Sequence, residues 1–230
     1  MRKSKYLLFI ISILLLDIYV KKKNMPIHLQ PYHYKHRIAY FKKLNKGLKP
    51  GGIVFLGDSL TEHFITSEFF PEHYVINRGI SGDTTDGVLN RLQESVYNVK
   101  PEKVFLLIGT NDLGNKKERE YIINNIDRII INIKEKLPQT KIYLQSLYPI
   151  RKEGQNKIRK AVVGVRNNEQ INSINQNLIS LSKKRDITYI DINSLLQDED
   201  GELKYKYTLE GLHISPLGYE VVAKGLYKYL

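Results

Sequence analysis

After Gly51 the chain repeats one pattern five times: a short unbroken apolar run, then polar residues, with stretches of helical spacing in between. The runs are "IVFL" from Ile53, "YVIN" from Tyr74, "KVFLLIG" from Lys103, "KIYLQSL" from Lys141 and "ITYIDI" from Ile187. Helical spacing covers residues 84–97, 118–137, 167–184 and a last stretch from about 216 to the end. Strands that do not alternate apolar with polar residues are buried on both faces, which requires a parallel sheet covered by helices on either side. The expected architecture is therefore an α/β, flavodoxin-like, doubly wound three-layer sandwich with a five-stranded parallel sheet in the order 2-1-3-4-5. At 230 residues, 42% of them hydrophobic, the chain can bury one substantial core. The expected division is an N-terminal targeting segment over 1–25, a polar linker and amphipathic helix over 26–50, and one folded domain over 51–230.

The formal net charge of +12 raises the question of an anionic partner. Residues 1–26 hold six Lys or Arg and one Asp, which leaves 30 positive and 23 negative side chains in the remainder, a net +7. Those charges stand in mixed company, as in "NKKERE" and "SKKRD", with no basic run carrying interleaved aromatics. The reading is a solvated lysine-rich surface and no nucleic-acid partner. The absence of cysteine removes disulfides, thiolate nucleophiles and cysteine metal sites together.

The N-terminus, "MRKSKYLLFIISILLLDIYVKKKNMP", has a basic start and an apolar stretch from Tyr6 to Val20 broken by Ser12 and Asp17. This is the pattern of an export signal. A spanning helix needs about 20 residues, and the three lysines that follow, Lys21 to Lys23, leave no small-x-small cleavage site. Cleaved signal and uncleaved membrane anchor both stay open, and either predicts an extracytoplasmic protein, secreted or held at the membrane. Translation from Met25 would instead give a cytoplasmic one. In "HRIAYFKKLNKGL" the spacing of Ile38, Phe41 and Leu44 predicts one amphipathic helix. His28, His33 and His36 lack carboxylate or cysteine partners at ligand spacing and read as solvated surface histidines, with no metal site.

Four polar clusters stand at the ends of these elements. The first run ends in "GDS" with Ser59, the second leads into the glycine-rich "NRGISGDTT", the third ends in "GTND" with Asn111, and "EGLHIS" with His213 precedes the last helix. Ligands of such sheets bind at the carboxyl ends of the strands, so one edge gathers all four. Each residue has an ordinary explanation: Ser59 can cap a helix, Gly82 can serve a turn of positive φ, and Asn111 can be a turn residue. Asp58, Asp83 and Asp112 read as caps and loop ties, and His63 and His73 as surface or flanking residues. Together the clusters also supply what acyl transfer to a serine needs, namely a nucleophile, its base, a group that orients the base, and donors for the oxyanion. Ser59 at a tight strand-to-helix turn offers a hydroxyl and its own backbone N–H. Gly82, lacking a Cβ, lets its backbone N–H approach a substrate, and the Asn111 amide is a third donor.

The segments "GDSLTEHF", "NRGISGDTT", "GTND" and "EGLHISPLGY" resemble, in order and spacing, the sequence blocks of the SGNH, or GDSL, hydrolase superfamily over about 51–230. Within it, "NRGISGDTTDGVLNRL" is most similar to the branch of platelet-activating-factor acetylhydrolase subunits and bacterial lysophospholipase-like or acetyl-esterase relatives. The resemblance implies Ser59 as nucleophile, Ser59 N–H, Gly82 and Asn111 as oxyanion hole, His213 as base, and no metal or organic cofactor. One position departs from the pattern: the family has Asp-x-x-His, and this chain has Glu210 three residues before His213. Glu210 can orient His213, a backbone carbonyl can, or another acid such as Asp191, Asp198 or Asp200 can reach in. The reading favours Glu210.

The function expected is that of a serine esterase acting on short-acyl or acetyl esters, on carbohydrates among others. A lysophospholipase or thioesterase of the same fold is the rival within the class, and a non-catalytic glycan- or partner-binding surface protein is the rival outside it. The long stretch "YPIRKEGQNKIRKAVVGVRNN" carries five basic residues before Val165 and is expected to set specificity, its charge favouring anionic or polar substrates. A homodimer is left open.

Overall fold

A computed structural model describes residues 31–154 and 156–230. The segment read as signal or anchor, and His28, lie outside the described residues. Among the described residues no helix is long and apolar enough to cross a membrane.

Five parallel strands, β1 (Ile53–Gly57), β2 (Val75–Gly79), β3 (Lys103–Leu107), β4 (Lys141–Gln145) and β5 (Thr188–Ile190), form one sheet in the order 2-1-3-4-5. One row of side chains shows why both faces are covered. Phe55, Phe105 and Tyr143 are in register across β1, β3 and β4, and their rings stack 4.9 and 4.8 Å apart. Phe64 and Phe70 close over Phe55, and Tyr229 over Tyr143. This face is covered by α2 (Ser59–Glu62), α3 (Thr66–Phe69) and the last long helix, Pro216–Tyr227. Side chains alternate along a strand, so Val54, Val104 and Ile142 point to the other face. There α4 (Thr85–Asn90), α6 (Arg119–Lys136) and α8 (Asn168–Arg185) pack side by side and bury Ile122, Ile126, Ile129, Ile171 and Ile174. Reversal of the winding between β1 and β3 puts the crossover helices on opposite faces and leaves a crevice at the strand ends.

Short helices complete the order: α1 (Pro31–Leu44) before the sheet, α5 (Thr110–Gly114) after β3, α7 (Lys160–Val163) in the long connection after β4, and α9 (Asn193–Leu196) before α10 (Pro216–Tyr227). Two local departures from the sequence expectation have physical causes. The helix expected over 84–97 is broken: α4 ends at Asn90 and a π-helical turn runs from Gln93 to Tyr97. The break falls at Arg91, whose φ of −120° leaves the helix and whose side chain is drawn into the core. The fifth strand is only three residues long because Asp191 turns out to cap the next turn, its carboxylate accepting from Ser194 N–H and hydroxyl.

Helix α1 presents a different face from the one its apolar spacing predicts. Phe41 is buried, but Leu44 is 53% exposed and Ile38 only partly covered. The inner stripe is Tyr34, Arg37 and Phe41, because what it meets is polar: Tyr34 donates to Gly87 O, Arg37 to Gly79 O, and Arg37 and Arg78 sandwich the Phe41 ring. His33 is likewise not a solvated histidine. Its Nε2 lies 3.3 Å from Glu62 Oε2 with the ring largely covered, whereas His36 is exposed between the rings of Tyr32 and Tyr40.

Candidate active site

The end of β1 turns directly into α2. Asp58 caps that helix, its Oδ1 accepting from Leu60 N–H at 2.9 Å, and Ser59 thereby becomes the first helical residue. Its N–H is one of those that a helix start leaves without an intrahelical acceptor. Its hydroxyl faces the crevice, and the residue is 4% exposed.

His213 comes from 154 positions away. Its loop is pinned before α10: His213 O accepts from Leu209 N–H and the Thr208 hydroxyl, and Ser215 caps the helix through Gly218 N–H. This brings His213 Nε2 to 3.0 Å from Ser59 Oγ. On the other side of the ring, Nδ1 is 2.6 Å from Glu210 Oε1, and the same oxygen accepts from His213 N–H at 2.9 Å. The extra methylene of glutamate is absorbed by folding the carboxylate back onto its own loop. Of the acids left open by the sequence, Glu210 is the one in contact with the ring. Asp198 is paired with Arg151, Asp191 caps the turn at Ser194, and Asp200 is exposed. Burial pushes the Glu210 carboxyl up, but the hydrogen bonds from His213 and the charge of its ring outweigh burial and hold it below the usual range.

Gly82 stands in the turn after β2 with φ of +78°, a conformation that costs glycine little. Asp83 N–H closes the turn on Ile80 O, and within the described residues Gly82 N–H has no protein acceptor. The turn is held from below by Arg91, whose Nε is 2.7 Å from Asp83 Oδ2 and whose other nitrogens donate to Arg78 O, Gly57 O and Ser95 Oγ. One buried guanidinium thus staples the ends of β1 and β2 to the Gly82 turn. Asn111, in α5, donates from Nδ2 to Asp83 O at 2.9 Å and accepts on Oδ1 from Arg166 at 3.0 Å. Asp112 accepts from Thr85 N–H and hydroxyl, tying α5 to α4.

Several residues take part in the site beyond the ones the sequence assigns to the chemistry. His63 lies with its ring centroid 5.3 Å from that of His213 and its Nε2 3.4 Å from Ser81 Oγ; burial and then the neighbouring His213 lower its pKa. Arg91 could have been found as a charge between Val88 and Leu92 on the inward stripe of a helix, eight residues from an acid. Arg166 sits in an irregular connection where no periodicity points to it. Asp58 has one carboxylate oxygen without a hydrogen-bond partner among the described residues, and burial pushes its carboxyl up to about 7.

The sequence profile of the GDSL-like Lipase/Acylhydrolase family matches residues 55–221. The chain belongs to this family. Platelet-activating factor acetylhydrolase IB subunit alpha2 of Rattus norvegicus is 29% identical over 187 residues, 79% of this chain and 77% of that protein. A solved structure described as a platelet activating factor protein from Streptococcus pneumonia is 30% identical with a TM-score of 0.80, over 95% of this chain and 98% of that one. An acylhydrolase from Bacteroides fragilis, 24% identical with a TM-score of 0.73 over 83% of this chain and 94% of that one, shares the fold. The α/β fold with its 2-1-3-4-5 sheet is that of the GDSL structures, and the family is one of esterases and acylhydrolases.

Proposed function

We propose that this GDSL-family protein is a serine esterase that cleaves short-acyl esters, acetyl esters first among them, through an acyl-enzyme on Ser59. The observation that carries the reading is the continuous line from Glu210 through His213 to Ser59, with contacts of 2.6 and 3.0 Å. In that line His213 Nε2 takes the Ser59 proton as Oγ bonds to the ester carbonyl carbon. The carbonyl oxygen becomes an oxyanion, received by Ser59 N–H, Gly82 N–H and the Asn111 amide. Collapse breaks the bond to the alcohol oxygen, which leaves with the proton from His213. Water, deprotonated by the same ring, then attacks the acyl-Ser59 carbonyl, and Ser59 Oγ departs with the proton while the acid is released. Glu210 holds the ring in the tautomer that presents Nε2 to Ser59 and offsets the imidazolium charge.

Two features support a small acyl group. Ser59 is nearly enclosed, and the relatives that the chain matches over most of its length carry the name acetylhydrolase. The connection after β4 lies against the His213 loop, Arg151 N–H donating to Gly211 O and Arg159 N–H to Glu210 O, and we assign it to the alcohol side, where its polar side chains suit a carbohydrate or other polar ester. The proposal extends to location: an extracytoplasmic enzyme whose N-terminal segment meets the membrane, checked by fractionating cells that express the full chain.

The test is hydrolysis of p-nitrophenyl esters from acetate to palmitate by the wild type and by Ser59→Ala, with a fluorophosphonate probe as a direct label. The reading expects labelling of Ser59, loss of both labelling and turnover in Ser59→Ala, and a rate that falls as the acyl chain lengthens. Full turnover by Ser59→Ala would refute the nucleophile, and a rate that rises toward palmitate would move the substrate to long-chain lipid esters. Absence of any labelling would favour a binding protein on this fold.

A further inference from the structure

An oxyanion hole that uses an asparagine has a problem that a backbone N–H does not. The two ends of a carboxamide have nearly the same shape and opposite character, Oδ1 accepting and Nδ2 donating. Turned by half a rotation, Asn111 would present an oxygen to a developing oxyanion and repel it. Some neighbour must decide which end faces the substrate.

We propose that Arg166 is the positioning residue that makes this choice, so that the connection after β4 takes part in building the oxyanion hole. The inference rests on the reading of Asn111 as an oxyanion donor. Arg166 Nη2 lies 3.0 Å from Asn111 Oδ1. A guanidinium has donors and no acceptor, so it can face only the oxygen end of the amide. On the far side, Asp83 O lies 2.9 Å from Nδ2, and a carbonyl can face only the nitrogen end. The amide is therefore bracketed by a donor-only and an acceptor-only neighbour that agree. One Nδ2 hydrogen goes to Asp83 O, and the other remains for the substrate.

The guanidinium is itself immobilised. Nε donates to Thr110 O at 2.7 Å, and Nη1 to Val163 O at 2.9 Å and Val162 O at 3.2 Å. Arg166 is 7% exposed, burial lowers its pKa, and the Asp58 charge opposes that shift. Its hydrogen-bonding partners are backbone carbonyls and Asn111. Burying a cation is costly, and here its charge, which the buried Asp58 carboxyl partly offsets, stands one side chain behind the place where negative charge forms. Gly114 provides the room: a Cβ there would fall 2.3 Å from Nη2.

A double-mutant cycle tests the coupling. Removing one oxyanion donor typically costs about 10²–10³ in kcat, so Asn111→Ala should fall in that range on p-nitrophenyl acetate. Arg166→Met should lower kcat by roughly 10²-fold with KM changed less than about twofold, since only the transition state carries the oxyanion. In the Asn111→Ala background the same substitution should cost no more than about threefold, because no amide is left to orient. Arg166→Lys, which keeps a donor-only cation in place, should recover at least about tenfold of the loss. If Arg166→Met does not fold, Gly114→Ala, which displaces the guanidinium without removing it, takes its place in the cycle with the same expectation. Losses that multiply in full in the double variant, or a rise in KM with kcat unchanged, overturn the role of Arg166 alone while Ser59 labelling and wild-type turnover leave the esterase reading standing. Wild-type turnover by Ser59→Ala overturns both.

Discussion

Glu62 Oε2 accepts the backbone N–H of Ser81 at 2.5 Å, one residue before Gly82. The carboxylate is itself held by helix α1, with Arg37 Nε 3.0 Å from Oε1 and His33 Nε2 3.3 Å from Oε2. A residue in α2 and a helix ahead of the sheet therefore share control of the turn that carries Gly82, the proposed oxyanion donor. Glu62→Ala should lower kcat for p-nitrophenyl acetate by about tenfold, with KM nearly unchanged, since the hole is disturbed but keeps its donors. Equal kcat in the variant and the wild type would show that the turn needs no such support.

Glu62 also predicts a pH effect on stability. Burial raises its pKa, but Ser81, Arg37 and His33 outweigh burial and leave it below its ordinary 4.5. A carboxyl with a depressed folded pKa adds stability above its unfolded pKa and loses it as pH falls through the folded one. Urea midpoints of the wild type should therefore drop more steeply below about pH 4.5 than those of Glu62→Gln. Parallel midpoints would refute the linkage.

Asp58 predicts the opposite slope. Its carboxyl is lifted from 3.8 to about 7 by complete burial, against the hydrogen bond from Leu60. Between those values the unfolded chain gives up a proton that the native state keeps, so stability falls as pH rises from about 4 to about 7 and levels off above. Asp58→Asn keeps an acceptor for Leu60 N–H and cannot ionise. The variant should gain on the wild type steadily across that window, measured by urea unfolding, and a constant difference between the two would contradict the assignment.

Arg91 and Asp83 form a buried pair 2.7 Å apart, with side chains at 0% and 2% exposure. Removing one member of such a pair leaves the other charged and unpaired, at a cost of about 3–5 kcal/mol. Arg91→Met should lower the unfolding free energy by about that amount, and Arg91→Met combined with Asp83→Asn should recover part of it. A loss below about 1 kcal/mol in the single variant would mean that the pair is dispensable.

Glu210→Gln keeps the size of the side chain and removes the charge. By analogy with amide replacements in other triads, kcat should fall by about 10³–10⁴. Glu210→Asp retains the charge on a shorter arm and should lose less than the glutamine variant. If Glu210→Gln turns over at the wild-type rate, the acid of the site is another residue.

What could be read from the sequence depended on what the backbone alone decides. The five apolar runs specify the sheet, and the sheet brings Ser59, Gly82, Asn111 and His213 to one edge whatever the loops do in detail. Glu210 was legible as a candidate because it lies three residues from His213, so a local fold brings the two together. Glu62 and Arg166 were not, because each acts through a partner distant in sequence or through backbone carbonyls, which leave no trace in spacing, whereas Arg91 left one faint trace, a charge on an inward helical stripe eight residues from Asp83. Arg91 also broke a helix whose periodicity ran on to Tyr97. The inward face of α1 escaped for a related reason: apolar spacing locates a greasy stripe, whereas Arg37 and Tyr34 turn inward to reach carbonyl oxygens on β2 and at the start of α4.

Helix α1 ends nine positions before β1 begins, and the family profile starts only at residue 55. Clipping the chain just ahead of Ile53 would therefore spare every strand, and with them the serine, the histidine and its acid. It would take away the brace behind Glu62, so such a shortened protein should be recognisable by slow turnover from an otherwise intact fold.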